Sequence, residues 1–443
     1  MSTPSNYRPI SILSVVSKIL EKAVHFQLCD FLDKYEILCA SQSGFRPLHS
    51  TATALMKLVN QWSLNFDNNE LTGVAFIDLR KAFDTVDHDI LLHKLKAIGC
   101  SDKSVRWFVS YLSNREQTVC FKGTTSSSSK IVMGVPQGSI LGPLLFSIYI
   151  NSLPKCIDDG IVDMYADDTT LTVNGRSVAE IERKLTKGLE NVFSWVTKNR
   201  LVLNADKTNV MLIAPRSILN GVKDFSVTLN GSCLKRVKVA KCLGVMIDEE
   251  LRWTEHVEKV IKTAQKNISV IKRAKSYVPT RSLKLLYNSI VLPHFDYCSS
   301  VWSERFQRQT IKLQKVQKRA ARIVLGEGFD VSSKDMFSRL GWMPIQTRFQ
   351  FGRAVIMYKA MHGMAPEYLN KDLQHVSSIH DHSTRHAIRD TLRVPKFRTD
   401  TYKHSPLISG IAVWNQLETS IKMLPTLNSF KYTLKALLSA GEM

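Results

Sequence analysis

No apolar run in this sequence approaches the roughly 18 residues that a membrane span needs. The longest candidate, 139–150, is interrupted by Gly142-Pro143. The start, Met-Ser-Thr-Pro-Ser-Asn, has neither the charged nor the apolar region of a secretory signal. The eight cysteines (29, 39, 100, 120, 156, 233, 242, 298) contain no CxxC pair, which argues against a zinc ribbon or a disulfide framework and for reduced thiols in an intracellular protein. His375, His380, His382 and His386 cluster without a cysteine nearby on a stretch of loop character, a weak pattern for a metal. Acidic residues are the real shortage: 39 Asp and Glu stand against 60 Lys and Arg, a formal net charge of +21. Such an excess suits a partner with a polyphosphate backbone, although an anionic surface would also tolerate it.

Against that basic background, a few carboxylates stand out by position. In 161–173, Ile-Val-Asp-Met-Tyr-Ala-Asp-Asp-Thr-Thr-Leu-Thr-Val, two β-forming halves flank Asp167-Asp168, which reads as a hairpin with adjacent carboxylates at its tip. Turn chemistry alone would also explain such a doublet. A second stretch, Val74-Ala75-Phe76-Ile77-Asp78-Leu79, is a buried-type strand ending on a carboxylate. A strand-end carboxylate beside that doublet would suit two hard cations about 3.5–4 Å apart, spanning the attacking and leaving oxygens of a phosphoryl transfer.

The remaining pattern interleaves helices and strands without a strict βαβ period, an α+β arrangement with a sheet backed by helices. Helical spacing predicts amphipathic helices over 15–32 (Val16, Ile19, Leu20, Ala23, Val24, Leu28), from Ser50-Thr51 onward, and over 87–98, 104–112 and 177–199. Strands are expected at 117–121, 131–133 and 227–229, and as a pair, 201–204 with 209–214, around the turn bearing Lys207. Residues 124–129 are expected as a hairpin tip, and Leu243-Gly244-Val245 as a tight bend within 237–247. Arg8 and Arg46 stand on non-helical segments from which a guanidinium can reach a triphosphate. From about 251 the chain turns helical and basic: 251–325 hold 16 Lys and Arg against 4 Asp and Glu. Within it Leu313, Val316, Ala320 and Ile323 define an apolar face, and Lys312, Lys315, Arg319 and Arg322 a basic one. Trp414, with Val413 and Leu417, looks like a structural anchor.

Seven segments in order carry a resemblance: Asn-Tyr-Arg-Pro-Ile, Gln-Ser-Gly-Phe-Arg, Phe-Ile-Asp-Leu-Arg-Lys-Ala-Phe-Asp, Gly-Val-Pro-Gln-Gly-Ser-Ile-Leu-Gly-Pro, Tyr-Ala-Asp-Asp, Asn-Ala-Asp-Lys-Thr and Cys-Leu-Gly-Val. Together they resemble the reverse transcriptase of non-LTR, LINE-type retrotransposons of the jockey-like lineage. The resemblance implies a right-hand polymerase with an antiparallel palm sheet: partial fingers over 1–70, palm over 71–250, a basic helical thumb over 251–328 and a C-terminal region over 329–443. It implies two metal-bridging carboxylates at Asp78 and Asp167, with Asp168 as a third acidic member, and Mg²⁺ (two ions, with Mn²⁺ as a substitute) as cofactor. Arg46 and the backbone at Leu79 and Arg80 would hold the incoming triphosphate, and Phe83 would stand against the sugar 2′ position. Gln137 and Gly138 resemble the loop under the nascent pair, Lys207 the proton donor to pyrophosphate, and Leu243-Gly244 the primer grip; Lys312, Lys315, Arg319 and Arg322 would follow the duplex.

The implied activity is RNA-directed DNA synthesis from an RNA template, a DNA primer and dNTPs, with no membrane partner and nuclear or cytoplasmic residence both open. The sequence starts almost at Asn-Tyr-Arg-Pro-Ile, without the endonuclease and N-terminal extension of full elements, and shows no RNase H carboxylate set and no Cys/His knuckle. A separate endonuclease would then supply the primer end. Leu417-Glu418 replaces the usual Leu-Pro after Trp-Asn. The alternative reading is a truncated, inactive remnant that binds nucleic acid through its basic thumb.

Overall fold

A computed structural model describes residues 10–303, 307–378 and 390–440. Arg8, His380, His382 and His386 lie outside the described residues. Helix α1 (Val15–Lys34) starts where the Ser14 hydroxyl accepts the Ser17 N–H, and α2 (Thr51–Asp67) starts at a capping box between Ser50 and Thr53. The apolar run of β1 (Leu71–Ile77) is buried at every position but Phe76. Asp87 caps α3 (His88–Ala97) and Ser101 caps α4 (Asp102–Leu112), with Gly99 between them at φ +98°. Four short strands follow, β2 (Arg115–Gln117), β3 (Cys120–Phe121), β4 (Thr124–Thr125) and β5 (Ser129–Ile131), with β3 on β4 and β2 on β5. The tip of this hairpin is Lys122-Gly123, both at positive φ, so the polar run 124–129 lies on the returning arm and not at the tip as expected.

Helix α5 (Gly142–Ile150) is buried throughout except at Pro143. Then come β6 (Ile161–Tyr165), β7 (Asp168–Gly175), α6 (Val178–Lys198), β8 (Asn209–Ile213), α7 (Arg216–Leu219), β9 (Thr228–Leu229), β10 (Ser232–Cys233), β11 (Lys235–Arg236), β12 (Val239–Cys242) and β13 (Val245–Asp248). Beyond them, among the described residues, every regular element but an isolated bridge is helical, including α8 (Thr254–Ala274), α9 (Thr280–Leu286), α10 (Leu292–Asp296), α11 (Ser299–Trp302) and α12 (Gln307–Leu325).

The chain divides into two compact units. The first holds the described residues of Met1–Pro47, Gly73–Leu212 and Val222–Val237. Its centre is a five-stranded sheet in the order β11-β8-β1-β7-β6. The β6–β7 pair is antiparallel with Tyr165 opposite Asp168, whereas β11 joins β8 in parallel, so the sheet is mixed at one edge. Helix α6 lays Ile181, Leu185, Leu189, Val192 and Val196 inward, each burial stabilising by about 1.5–3 kcal/mol. Its approach requires glycine beneath it: a Cβ on Gly73 would stand 2.3 Å from Ile181 Cγ2.

Two further expectations about the elements of this unit fail. Residues 201–204 do not pair with 209–213; Leu203 instead bridges antiparallel to Leu79, beyond the end of β1. On α1 most of the predicted apolar stripe faces outward, with Val16, Ile19 and Leu20 exposed, while Glu21 is buried on the same side as Leu28.

The second unit holds Leu48–Thr72, Ile213–Gly221 and the described residues of Lys238–Met443. Tyr358, Ile411, Trp414, Phe430 and Leu434 form one of its cores, so Trp414 is an anchor as expected. Asp67 draws in the backbone N–H groups of Arg398 and Thr399, each at 2.7 Å. His375 pairs with Asp390 at 2.7 Å. No helix among the described residues is long and apolar enough to cross a membrane.

Candidate active site

The acidic residues lie at or beside the ends of neighbouring strands of the first unit. Asp78 follows β1 directly, and β1 is hydrogen-bonded to β7, whose first residue is Asp168. Asp78 is held from one side by the turn after α6. The Asn204 side chain donates Nδ2–H to Oδ2 of Asp78 at 2.7 Å, and the Asn204 N–H donates to the Asp78 carbonyl at 2.8 Å. The Asp78 N–H in turn donates to the Thr208 hydroxyl at 3.3 Å. Thr208 closes the turn by donating its N–H and its hydroxyl to the Asn204 carbonyl, both at 2.9 Å. Lys207 stands exposed on this turn. Asn204 and Thr208 escaped sequence reasoning as individual residues, although both belong to the segment Asn-Ala-Asp-Lys-Thr that carried Lys207.

The hairpin turns at Ala166-Asp167, so Asp168 lies in the ladder and not at the tip itself. Ala166 has φ +59° and Asp167 does not share it, the pattern of a type II′ turn whose first central residue is usually glycine. The Gln42 side chain braces this tip: its Oε1 accepts the Ala166 N–H at 3.1 Å and the Gly44 N–H at 2.7 Å. Around it 41–44 behave as a further edge strand, the Ser43 N–H donating to Met164 O and the Met164 N–H to Ser41 O, each at 2.8 Å. Gln42 carries no electrostatic or catalytic signature in sequence beyond its place in the segment Gln-Ser-Gly-Phe-Arg, whose one charged member is Arg46.

Residues expected on the nucleotide side gather around Phe83. Its ring stacks on Phe146 (4.5 Å between centroids, 26°) and meets Phe45 edge-on at 6.2 Å, while remaining half-buried. The Val135 N–H donates to Phe83 O at 2.8 Å and the Gly134 N–H to Val86 O at 2.7 Å, so the Gly-x-Pro-x-Gly loop is strapped to the turn after β1. Gln137 donates Nε2–H to Asp84 Oδ1 at 2.8 Å, and Gly138 holds φ +102° beside Ser11. Arg46 is half-buried and donates from one guanidinium nitrogen to the carbonyls of Cys39 (3.0 Å) and Gln42 (3.3 Å). Leu79 is buried. The Arg80 N–H is already given to Val202 O at 2.8 Å, and its guanidinium pairs with exposed Asp206 at 3.4 Å. That backbone donor is therefore not open to a phosphate, contrary to expectation.

Among the described residues no three His, Cys, Asp or Glu side chains are drawn together as a ready metal cage. The donor set still fits a hard divalent cation: Mg²⁺ is commonly held by one or two carboxylates with water and substrate phosphates, not by a dedicated protein cage. Among the described residues the side-chain partner of Asp78 is the neutral amide of Asn204.

A family model described as "Reverse transcriptase (RNA-dependent DNA polymerase)" matches residues 2–277. The chain belongs to the reverse transcriptase family. Among its relatives, "Probable RNA-directed DNA polymerase from transposon BS" of Drosophila melanogaster is 30% identical over 73% of this chain and 36% of its own length. The "RNA-directed DNA polymerase from mobile element jockey" is 27% identical in both Drosophila funebris and Drosophila melanogaster, over 75% of this chain and 37% of theirs. These matches agree with the jockey-like, non-LTR assignment carried by the ordered segments, and the chain spans little more than a third of these relatives' length. A solved apo telomerase from Candida tropicalis, truncated from its C-terminal domain, is 15% identical over 52% of this chain and 44% of its own, with a TM-score of 0.36.

In the second unit, Leu243-Gly244 forms the turn between β12 and β13, with φ of +44° and +85°. Tyr297 donates its hydroxyl to Leu243 O at 2.8 Å, and a Cβ on Gly244 would stand 3.1 Å from that ring. On α12, Leu313, Val316, Gln317, Ala320, Ala321 and Val324 are buried; Ile323, expected on the apolar face, is only half-buried. Lys312, Lys315 and Arg319 are exposed. Arg322 folds back instead: its Nε–H donates to Gly328 O at 3.1 Å, and its guanidinium lies 4.9 Å from the Phe329 ring centroid.

Proposed function

We propose that the chain catalyses RNA-directed DNA synthesis, adding deoxynucleotides to a primer 3′ end, with Asp78, Asp167 and Asp168 as the acidic residues of the site. The observation that carries this reading is the adjacency of β1 and β7, which sets the strand ending at Asp78 beside the strand starting at Asp168. In a right-hand subdivision this sheet would be the palm, 1–70 the partial fingers and 251–328 the thumb. Asp78 and the hairpin carboxylates would hold two Mg²⁺ ions, with Mn²⁺ as a substitute. When bound, such ions lower the pKa of the attacking hydroxyl and neutralise the phosphate charge. The chain's own groups position and neutralise. The turn 204–208 keeps an Asp78 oxygen engaged by a neutral N–H, and Arg46, anchored by one nitrogen to its loop, would hold the triphosphate with its other N–H groups. Lys207 is exposed on the same turn and would be the proton donor to departing pyrophosphate. Gln137 and Gly138 support the nascent pair, and Leu243-Gly244 with the exposed basic side chains of α12 contact primer and template backbone. A primer end is a substrate here, so a strand-cleaving activity, from another segment or a separate endonuclease, has to supply it.

Primer extension on an RNA template with Mg²⁺ tests the reading. Extension by the wild type, with loss of at least about a thousandfold in the Asp167→Ala/Asp168→Ala variant, is expected. Absent extension, or extension indifferent to that change, overturns it.

A further inference from the structure

We infer that Gln42 is a positioning residue that couples the nucleotide-binding arginine to the acidic hairpin tip. The inference rests on the proposed polymerase reading and deepens it. Gln42 is completely buried. Its side chain spends both ends on local backbone: Oε1 accepts from the N–H groups of Gly44 and Ala166, and Nε2 donates to Ala166 O at 3.5 Å. The residue it braces needs bracing, because Ala166 holds a left-handed φ that L side chains disfavour and that glycine would adopt freely. Asp167 is the next residue, so whatever fixes Ala166 fixes the direction in which the Asp167 carboxylate leaves the turn. The surroundings leave little room for drift. A Cβ on Gly44 would lie 2.2 Å from the Ala166 nitrogen, and the bridge between Gln42 and Met164 locks the same segment to β6.

The backbone of Gln42 faces the other way in its role. Its carbonyl accepts from Arg46, as does that of Cys39. One residue thus touches the hairpin tip through its side chain and Arg46 through its main chain, so a displacement of Arg46 on binding a triphosphate would be passed to Ala166 through Gln42 itself. An amide suits this post better than a carboxylate or a hydrocarbon. It supplies an acceptor for two N–H groups and a donor for one carbonyl, without adding a charge beside a carboxylate doublet that has to gather cations.

The test uses the full chain, single-nucleotide extension and a Mg²⁺ titration. Gln42→Met conserves length and volume but removes the acceptor and the donor. It is expected to lower kcat by about a hundredfold and to raise the half-saturating Mg²⁺ concentration by about tenfold, with duplex affinity unchanged. Gln42→Glu retains acceptor oxygens for both N–H groups and is expected to recover about tenfold of the lost rate. Should Gln42→Met fail to fold, adding Ala166→Gly removes the backbone strain without restoring the brace, so the double variant folds and keeps the kinetic defect. A purely structural glutamine would change thermal stability and leave the kinetics of folded molecules alone. Wild-type kcat and Mg²⁺ dependence in either folded variant, or Gln42→Glu no better than Gln42→Met, overturns the inference. In those cases extension that still depends on Asp167 and Asp168 leaves the polymerase reading standing. A wild type that does not extend removes both.

Discussion

Phe83, on the proposed polymerase reading, would be core and site together. One face stacks on Phe146, which is fully buried, and an edge meets Phe45, which is half exposed, so the ring is held rigid while part of it stays open. Rigid bulk is what excludes a 2′-hydroxyl, because a ring free to rotate away would admit it. Phe83→Ala should therefore raise ribonucleotide incorporation relative to deoxyribonucleotide by about ten- to a hundredfold, read as the ratio of kcat/KM for the two substrates. Removing a stacked partner also lowers thermal stability, but an unchanged ratio in folded enzyme would leave Phe83 as core alone. At this scale the sequence exposed the charged actors and hid the neutral ones. A carboxylate at a strand end is conspicuous because a charge there has few structural reasons to exist. Gln42 and Asn204 are ordinary polar residues until their partners, 124 and 126 positions away, are brought beside them.

Elements show a different limit. The 3.6 period correctly grouped the apolar residues of α1, but periodicity identifies which side chains share a face, not which face another element covers. Here the covered face is the one carrying Glu21, whose Oε2 accepts the N–H groups of Ile140 (2.7 Å) and Leu141 (3.3 Å) where α5 begins without a side-chain cap of its own. A long-range carboxylate cap of this kind leaves no local signature. The pattern over 177–199 was legible because α6 carries a strong apolar stripe and Ser177 caps its start, and its partner sheet was expected on the same grounds. Packing of α8 against β13 adds a measurable consequence. His256 on α8 is buried beside Trp302 and accepts the Met246 N–H on Nδ1 at 3.3 Å; burial, and then the nearby charge of Lys259, lowers its pKa to about 4. An unfolded chain takes up this proton below about pH 6.5, the folded one only near 4, so the unfolded state binds more protons in between. Stability contributed by neutral His256 is complete above pH 6.5 and is lost as the pH falls toward 4, of order 2 kcal/mol between pH 7 and 5. Urea midpoints at those two pH values should differ less for His256→Gln than for the wild type; equal differences would show that His256 does not set the acid sensitivity.

For the whole molecule the governing quantity is charge. The excess of 21 positive charges is unevenly placed, with a net of +12 within 251–325, and it was readable from composition before any fold was in view. What composition did not reveal is which of those charges are available. On α12 the buried stripe forces Lys312, Lys315 and Arg319 outward, while Arg322 is occupied by the Gly328 carbonyl and the Phe329 ring. Only a cation free to replace a counterion contributes to salt-dependent binding, and each phosphate neutralised adds about 0.9 to the slope of log affinity against log salt. The affinity of a primer–template duplex, followed by fluorescence anisotropy through a salt series, should therefore lose about 2 to 3 from that slope in Lys312→Ala/Lys315→Ala/Arg319→Ala. Arg322→Ala should leave the slope as it is and instead lower the melting temperature, because what it removes is a bond to the chain's own backbone and a cation–ring contact, together worth about 1–2 kcal/mol. A slope that falls with Arg322→Ala as it does with Lys312→Ala would mean that this arginine leaves its intramolecular partners to meet the duplex, and the division of the basic face drawn from the structure would be wrong.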